Sequence, residues 1–75
     1  MEVGQLRWRC RRGMKELDVL LSRYVESRLA APGSEERAAF EQLLESQDPL
    51  IYGYCFGQTP VPEAFRPLIS RIVAP

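Results

Sequence analysis

From Val3 to Tyr24 the residues Val3, Leu6, Cys10, Met14, Leu17, Leu21 and Tyr24 recur at spacings of three or four. That is the period of one helical face, and it argues against a strand over the same stretch, where apolar residues would alternate. Gly13 sits in the middle of the stripe. Glycine weakens a helix interior by about 1 kcal/mol relative to alanine and accepts backbone angles that other residues avoid. The spacing therefore predicts a short first helix, a break at Arg12-Gly13, and a second helix from Met14 to about Leu29.

The rest of the chain is punctuated in the same way. Ala31-Pro32-Gly33 is a stop, and Ser34 offers an N-cap with Glu35 and Glu36 in the first turn, where the helix dipole favours negative charge. The third helix points Phe40, Leu43 and Leu44 inward and Glu41 and Glu45 outward, ending near Ser46-Gln47. Asp48 then serves as N-cap and Pro49 as first helical residue of a fourth helix. Its buried side is Leu50, Ile51, Tyr54 and Cys55. Gly53 weakens it and Gly57 stops it. After Thr59-Pro60-Val61-Pro62, a fifth helix starts at Pro62 with Phe65, Leu68, Ile69, Ile72 and Val73 on its apolar face and Arg66 and Arg71 outside. Pro67 is tolerated if the helix begins near Ala64 and bends it otherwise. The expectation is an all-α, compact five-helix bundle with short loops, one domain over residues 1–75.

A chain of 75 residues buries roughly 60–65% of its unfolded surface and leaves little room for a deep substrate pocket. A binding or adaptor module is favoured over an enzyme. Histidine is absent, which removes the commonest general base and the commonest metal ligand. Cys10 and Cys55 are expected as free thiols, with Cys10 on the apolar stripe as a small buried hydrophobe. No apolar run is long enough to span a membrane. No secretory or Arg/Ser-rich leader is read, which points to the cytoplasm of a bacterium or to a processed protein, with the cytoplasm as the expected location.

Charge is balanced overall but unevenly placed. Five of the ten basic residues lie between Arg7 and Lys15, around the single tryptophan, Trp8. From Glu26 to Asp48 there are six acids against Arg28 and Arg37. The basic segment has three readings. It is a solvated helix face, with Arg12 and Glu16 as an i,i+4 ion pair. It is a protein-docking surface, since Arg and Trp concentrate at the energetic centres of interfaces and Gly13 lets a partner backbone come close. Or it is a small basic-aromatic nucleic-acid patch. Against the last stand the zero net charge and the acids Glu16 and Asp18. Within the Tyr52–Tyr54–Phe56 run, Tyr54 is read as core and Tyr52 as its flank. Glu41 and Glu45 are read as a solvated face.

The stretch Trp8-Arg9-Cys10-Arg11-Arg12-Gly13-Met14-Lys15-Glu16-Leu17-Asp18 closely resembles the signature of the succinate dehydrogenase assembly factors that promote FAD attachment. Arg12, Gly13 and Glu16 match their Arg-Gly-x-x-Glu motif one for one. Phe40-x-x-Leu43-Leu44-Glu45 followed by Asp48-Pro49 is similar to the same family. The likeness covers roughly residues 5 to 56. Tyr54 stands where the family usually has Trp, Gly53 softens the same helix, and the family's charged C-terminal tail is missing.

The resemblance implies a non-enzymatic, five-helix chaperone; a monomer is the expectation, with the oligomeric state left open by the sequence. It implies binding to the flavoprotein subunit of succinate dehydrogenase, or of fumarate reductase, with FAD attached to a histidine of that partner and not held by this chain. Gly13 then makes close backbone contact with the partner. Arg12 and Glu16 supply charged hydrogen bonds, Trp8, Arg9 and Arg11 are rim or anchor contacts, and Asp18 belongs to the same partner-binding set. Neither nucleic acid nor membrane insertion is implied. Some members of the family are instead taken as antitoxins to a membrane-associated toxin, a regulatory role without flavin.

Overall fold

The apolar stripe and its interruption appear as two helices at an angle, not as one rod. In the computed structural model, which describes residues 3–27 and 34–74, helix α1 runs Val3–Arg9 and helix α2 runs Lys15–Ser27. Gly13 takes φ +88° between them, a left-handed conformation that costs an L-residue about 1–2 kcal/mol. Leu6, Cys10, Leu17, Leu21 and Tyr24 are all buried, so the stripe continues across the break. The expected end of α2 at Leu29, the Ala31-Pro32-Gly33 stop and the capping side chain of Ser34 lie outside the described residues.

Helix α3, Ser34–Leu44, buries Phe40, Leu43 and Leu44 as its pattern requires. It ends slightly earlier than its sequence suggests, in tight i→i+3 bonds from Glu45 N–H to Gln42 O and Ser46 N–H to Leu43 O. Helix α4, Asp48–Cys55, carries Pro49 in its first turn. Two expectations for α4 need correction. Asp48 is not the N-cap: that position is Gln47, with no side-chain capping bond, and the Asp48 carboxylate is drawn instead to Arg12. Leu50 is not core but 40% exposed, because the inward face of so short a helix is filled by Ile51 and Tyr54.

Gly53 does more than weaken α4. It is buried, and a Cβ there would lie 2.2 Å from Thr59 Oγ1, so its lack of a side chain lets the following turn fold back onto the helix. That turn passes through Gly57 at φ +75°. Gln58 and Thr59 both donate their backbone N–H to Gly53 O, at 2.9 and 3.1 Å, which is a glycine-terminated helix end.

Pro62 does not open the last helix. It caps a single 3₁₀ turn, Glu63–Phe65, and α5 follows as Arg66–Val73. Pro67 therefore falls in the first turn of α5, where its missing N–H breaks no helical bond. Leu68, Ile69 and Ile72 are buried, while Val73, the last residue of α5, faces out.

Helix α2 packs against α1, α4 and α5, and α5 also meets α3 and α4. The core is one cluster centred on Tyr24 and Phe40, whose rings lie 4.8 Å apart. Polar ties close the bundle around it. Tyr24 donates its hydroxyl to Glu36, whose other oxygen lies 2.7 Å from Arg71. Arg23 donates to the carbonyls of Ile72 and Ala74 at the end of α5. Among the described residues the fold is all-α, with five α-helices and no strand. No described helix is long and apolar enough to cross a membrane.

Candidate functional site

The α1–α2 loop is held from both sides. From α2, the Asp18 carboxylate reaches back and accepts the backbone N–H of Arg12 at 2.9 Å and of Gly13 at 3.1 Å. Asp18 is in the first turn of α2, so its charge also lies favourably at the N-terminal end of the helix dipole. From the opposite side the loop is anchored by Arg12. Its Nη2 donates to Leu44 O at 2.5 Å and to Ser46 O at 3.1 Å. Its Nε lies 3.0 Å from Asp48 Oδ1 but is not directed along a hydrogen bond, so this contact is an ion pair. The Arg12 side chain is only 13% exposed.

This geometry alters the reading of Arg12. The i,i+4 pair with Glu16 does not form, because the break at Gly13 turns the two residues apart. Arg12 faces the α3–α4 turn: its Nη2 donates to two carbonyls of that turn, and its charge lies beside the Asp48 carboxylate. Sequence reasoning missed Asp48 as a member of this cluster. Asp48-Pro49 reads locally as a helix start, and no local pattern announces a partner 36 positions away.

Gly13, Lys15 and Glu16 are exposed. Glu16, in the first turn of α2, has no hydrogen-bond or ion-pair partner among the described residues. A Cβ at Gly13 would meet nothing within 4 Å, so the space in front of it is open. Trp8 is 70% exposed on the outer face of α1, and the Arg11 guanidinium lies over its ring at 5.7 Å, a cation–π arrangement. Beyond Glu16 the surface turns apolar: Lys15, Glu16, Val19, Leu20 and Phe56 line one shallow depression.

The basic segment is less charged in three dimensions than in sequence. Arg7 pairs with Glu26 at 2.8 Å, Arg9 with Glu45 at 3.1 Å and Arg12 with Asp48. Arg11 and Lys15 are the two of the five basic residues without a carboxylate partner among the described residues. The acids that look like an opposing patch in sequence thus partly neutralise it. Glu41, expected to be solvated, is half-buried and lies 3.7 Å from Arg37.

The two thiols are apart and free. Cys10 is fully buried beneath the loop, and burial pushes its thiol up to about 11, with Arg12 pulling the other way and Asp18 adding to the rise. Cys55, half-buried at the end of α4, is raised to about 11 by burial as well. Protonated thiols of this kind are poor nucleophiles.

The whole chain, and not only this loop, has relatives. The family model described as "Flavinator of succinate dehydrogenase" matches residues 4–74. A protein of Coxiella burnetii named FAD assembly factor SdhE is 42% identical over 69 residues, spanning 91% of this chain and 84% of that protein. Proteins of the same name from Shewanella oneidensis and Xylella fastidiosa are 36% and 39% identical, each over 97% of this chain and over 85% and 76% of their own lengths. No solved structure is a significant match. The matches span the helices, the motif loop and both glycine turns, and the chain belongs to the flavinator of succinate dehydrogenase family.

Proposed function

We infer that this chain is an assembly factor: it binds the flavoprotein subunit of succinate dehydrogenase and promotes covalent attachment of FAD to a histidine of that subunit. The observation that carries the reading is the union of family membership with a loop tied on both sides by polar contacts that leaves Gly13 and Glu16 open to solvent. The chain itself has no histidine, so the residue that receives the flavin is the partner's. The flavin supplies the reacting ring. This chain contributes position, holding the partner's domains in the arrangement in which ring and histidine meet. It acts by docking and not as an enzyme.

The proposed docking surface is the motif loop with its neighbours. Glu16 offers an unspent carboxylate, and Gly13 offers open backbone to a closely approaching partner chain. Trp8 and Arg11 form an aromatic-cationic anchor, with Arg9 at the rim. Arg12 and Asp18 belong to the same site and support it from beneath. The pairing of Arg7, Arg9 and Arg12 with acids favours a protein partner over nucleic acid, whose binding rests on many free cations. The 75 residues act as one domain, as a monomer, in the cytoplasm, and fumarate reductase is a second client through the same surface.

The test is covalent flavin on the succinate dehydrogenase flavoprotein, read as in-gel fluorescence after denaturation. A strain lacking this protein should lose the signal, the wild-type chain should restore it, and Glu16→Ala should not. Full fluorescence in all three strains would overturn the assembly role.

A further inference from the structure

Arg12 is the motif residue whose surroundings least suit a contact. Its side chain is almost enclosed, and its charge is met by Asp48. Two carbonyls left open by the end of α3, those of Leu44 and Ser46, take its Nη2. These acceptors all come from a single short turn, 32 to 36 residues further along the chain. On the other side of the same residue, the backbone N–H of Arg12 and of Gly13 are tied to Asp18. The α1–α2 loop is thereby clamped between α2 and the α3–α4 turn, with Gly13 at its apex.

Resting on the docking reading above, we propose that Arg12 and Asp48 are positioning residues: the Arg12 side chain is a strut that fixes the Gly13–Glu16 surface in its docking geometry before the partner arrives, and Asp48 sets the strut. The turn Leu44–Asp48 is then part of the docking machinery although it need not touch the partner. A surface ordered in advance loses less freedom on binding, which strengthens association without adding a contact. Exposed Glu16 and buried Arg12 thus do different work within one motif. Lysine cannot replace the strut, because its charge and donors sit on one nitrogen, whereas the guanidinium reaches the two carbonyls through Nη2 and lies beside Asp48 through Nε.

The experiment uses the full chain and the apo flavoprotein subunit of succinate dehydrogenase, with three readouts. These are binding affinity by calorimetry, hydrogen exchange at the Arg12 and Gly13 amides, and the yield of covalent flavin at saturating factor. Asp48→Asn and Arg12→Lys should bind about tenfold more weakly, a loss that corresponds to about 1.4 kcal/mol. In both, the Arg12 and Gly13 amides should exchange faster while amides of the α2 and α5 core keep their protection. At saturating factor the yield of covalent flavin should return to the wild-type level, because the finished surface is unchanged. Glu16→Ala should weaken binding with no change in amide exchange. If Arg12→Lys and Asp48→Asn bind as tightly as wild type, the strut is not used. If they bind weakly while the two amides stay protected, Arg12 touches the partner directly and the proposal is wrong. If Glu16→Ala also binds normally, the docking reading itself falls, an outcome distinct from the other two.

Discussion

Two reversals of the chain turn on a glycine at positive φ, Gly13 at +88° and Gly57 at +75°, and they are held by different forces. The first is a polar construction. Carboxylate, guanidinium and backbone carbonyls hold it, and the exposed side of Gly13 is left empty. The second closes on itself. Gly53 O collects two N–H groups, Thr59 presses against Gly53 where a side chain would be, and the Tyr52 and Phe56 rings meet at a tilt with centroids 4.4 Å apart. Hydrogen bonds to directed acceptors set the shape of a loop while leaving its outer side free. Packing sets the shape by filling the space. A surface that must receive a partner is better built in the first way, and a turn that only returns the chain to the core in the second.

Substitution should break the second turn hardest. Gly53→Ala places a methyl 2.2 Å from Thr59 Oγ1 and 2.9 Å from Thr59 Cβ. Overpacking costs about 1–3 kcal/mol, and urea unfolding should show a loss near the upper end. Adding Thr59→Ala should recover part of it by removing the oxygen. An unchanged midpoint for Gly53→Ala would mean that the second turn is no more tightly filled than the first.

Each turn has its own thiol, Cys10 under the first and Cys55 beside the second. Both hold their protons to about 11 when folded, against 9.0 for the unburied group. Between these values the unfolded chain releases protons that the folded chain keeps, so alkali favours unfolding. The thiols' contribution should be level below pH 9 and turn against the fold from about pH 9 to about pH 11, by up to ~1.4 kcal/mol per pH unit for Cys10 and less for the partly exposed Cys55. Urea midpoints across this range, compared with Cys10→Ala and Cys55→Ala, measure each share. A Cys10→Ala profile as steep as the wild type's would contradict the dry environment assigned to the floor of the first turn.

The first turn should respond to handedness more than to volume. Gly13→Ala should cost about 1 kcal/mol, because the left-handed backbone disfavours an L-residue while the methyl meets nothing. A synthetic chain with D-alanine at position 13 should fold at no such cost. If it folds but binds the flavoprotein poorly, Gly13 is there for close approach; if it binds normally, backbone shape was the whole requirement.

The smallest effect belongs to the rim. Arg7 and Glu26 form an ion pair with both side chains more than half exposed, and Arg7→Ala should shift stability by no more than about 0.5 kcal/mol. A larger shift in thermal unfolding would show that the outer face of α1 is part of the clamp.

Much of the molecule was legible from local pattern. The stripe from Leu6 to Tyr24 marked the core face of two helices, Gly13 marked where they part, and Gly57 marked the end of α4. Each of these signals acts within a few residues: helical periodicity, a missing Cβ, a helix end. The motif loop was legible too, because Arg12, Gly13 and Glu16 stand together in sequence. Asp48 was misread for the same reason, since an acid before a proline is a good helix start on local grounds and only a distant guanidinium draws it away. Leu50 was misread because a short helix offers its neighbours fewer inward positions than its apolar residues would fill.

The sequence by itself thus determined the helices, the break and the residues gathered at the loop. Their roles were decided only by the tertiary structure. Burial and the direction of a side chain depend on which carbonyls and carboxylates packing brings within hydrogen-bond distance, and for Arg12 those belong to a turn 32 to 36 residues away. Packing also cancelled most of the basic segment's charge, by setting Glu26, Glu45 and Asp48 against it. What remains exposed at the loop is one open glycine, one unspent glutamate, one lysine without a carboxylate partner among the described residues and one arginine beside a tryptophan.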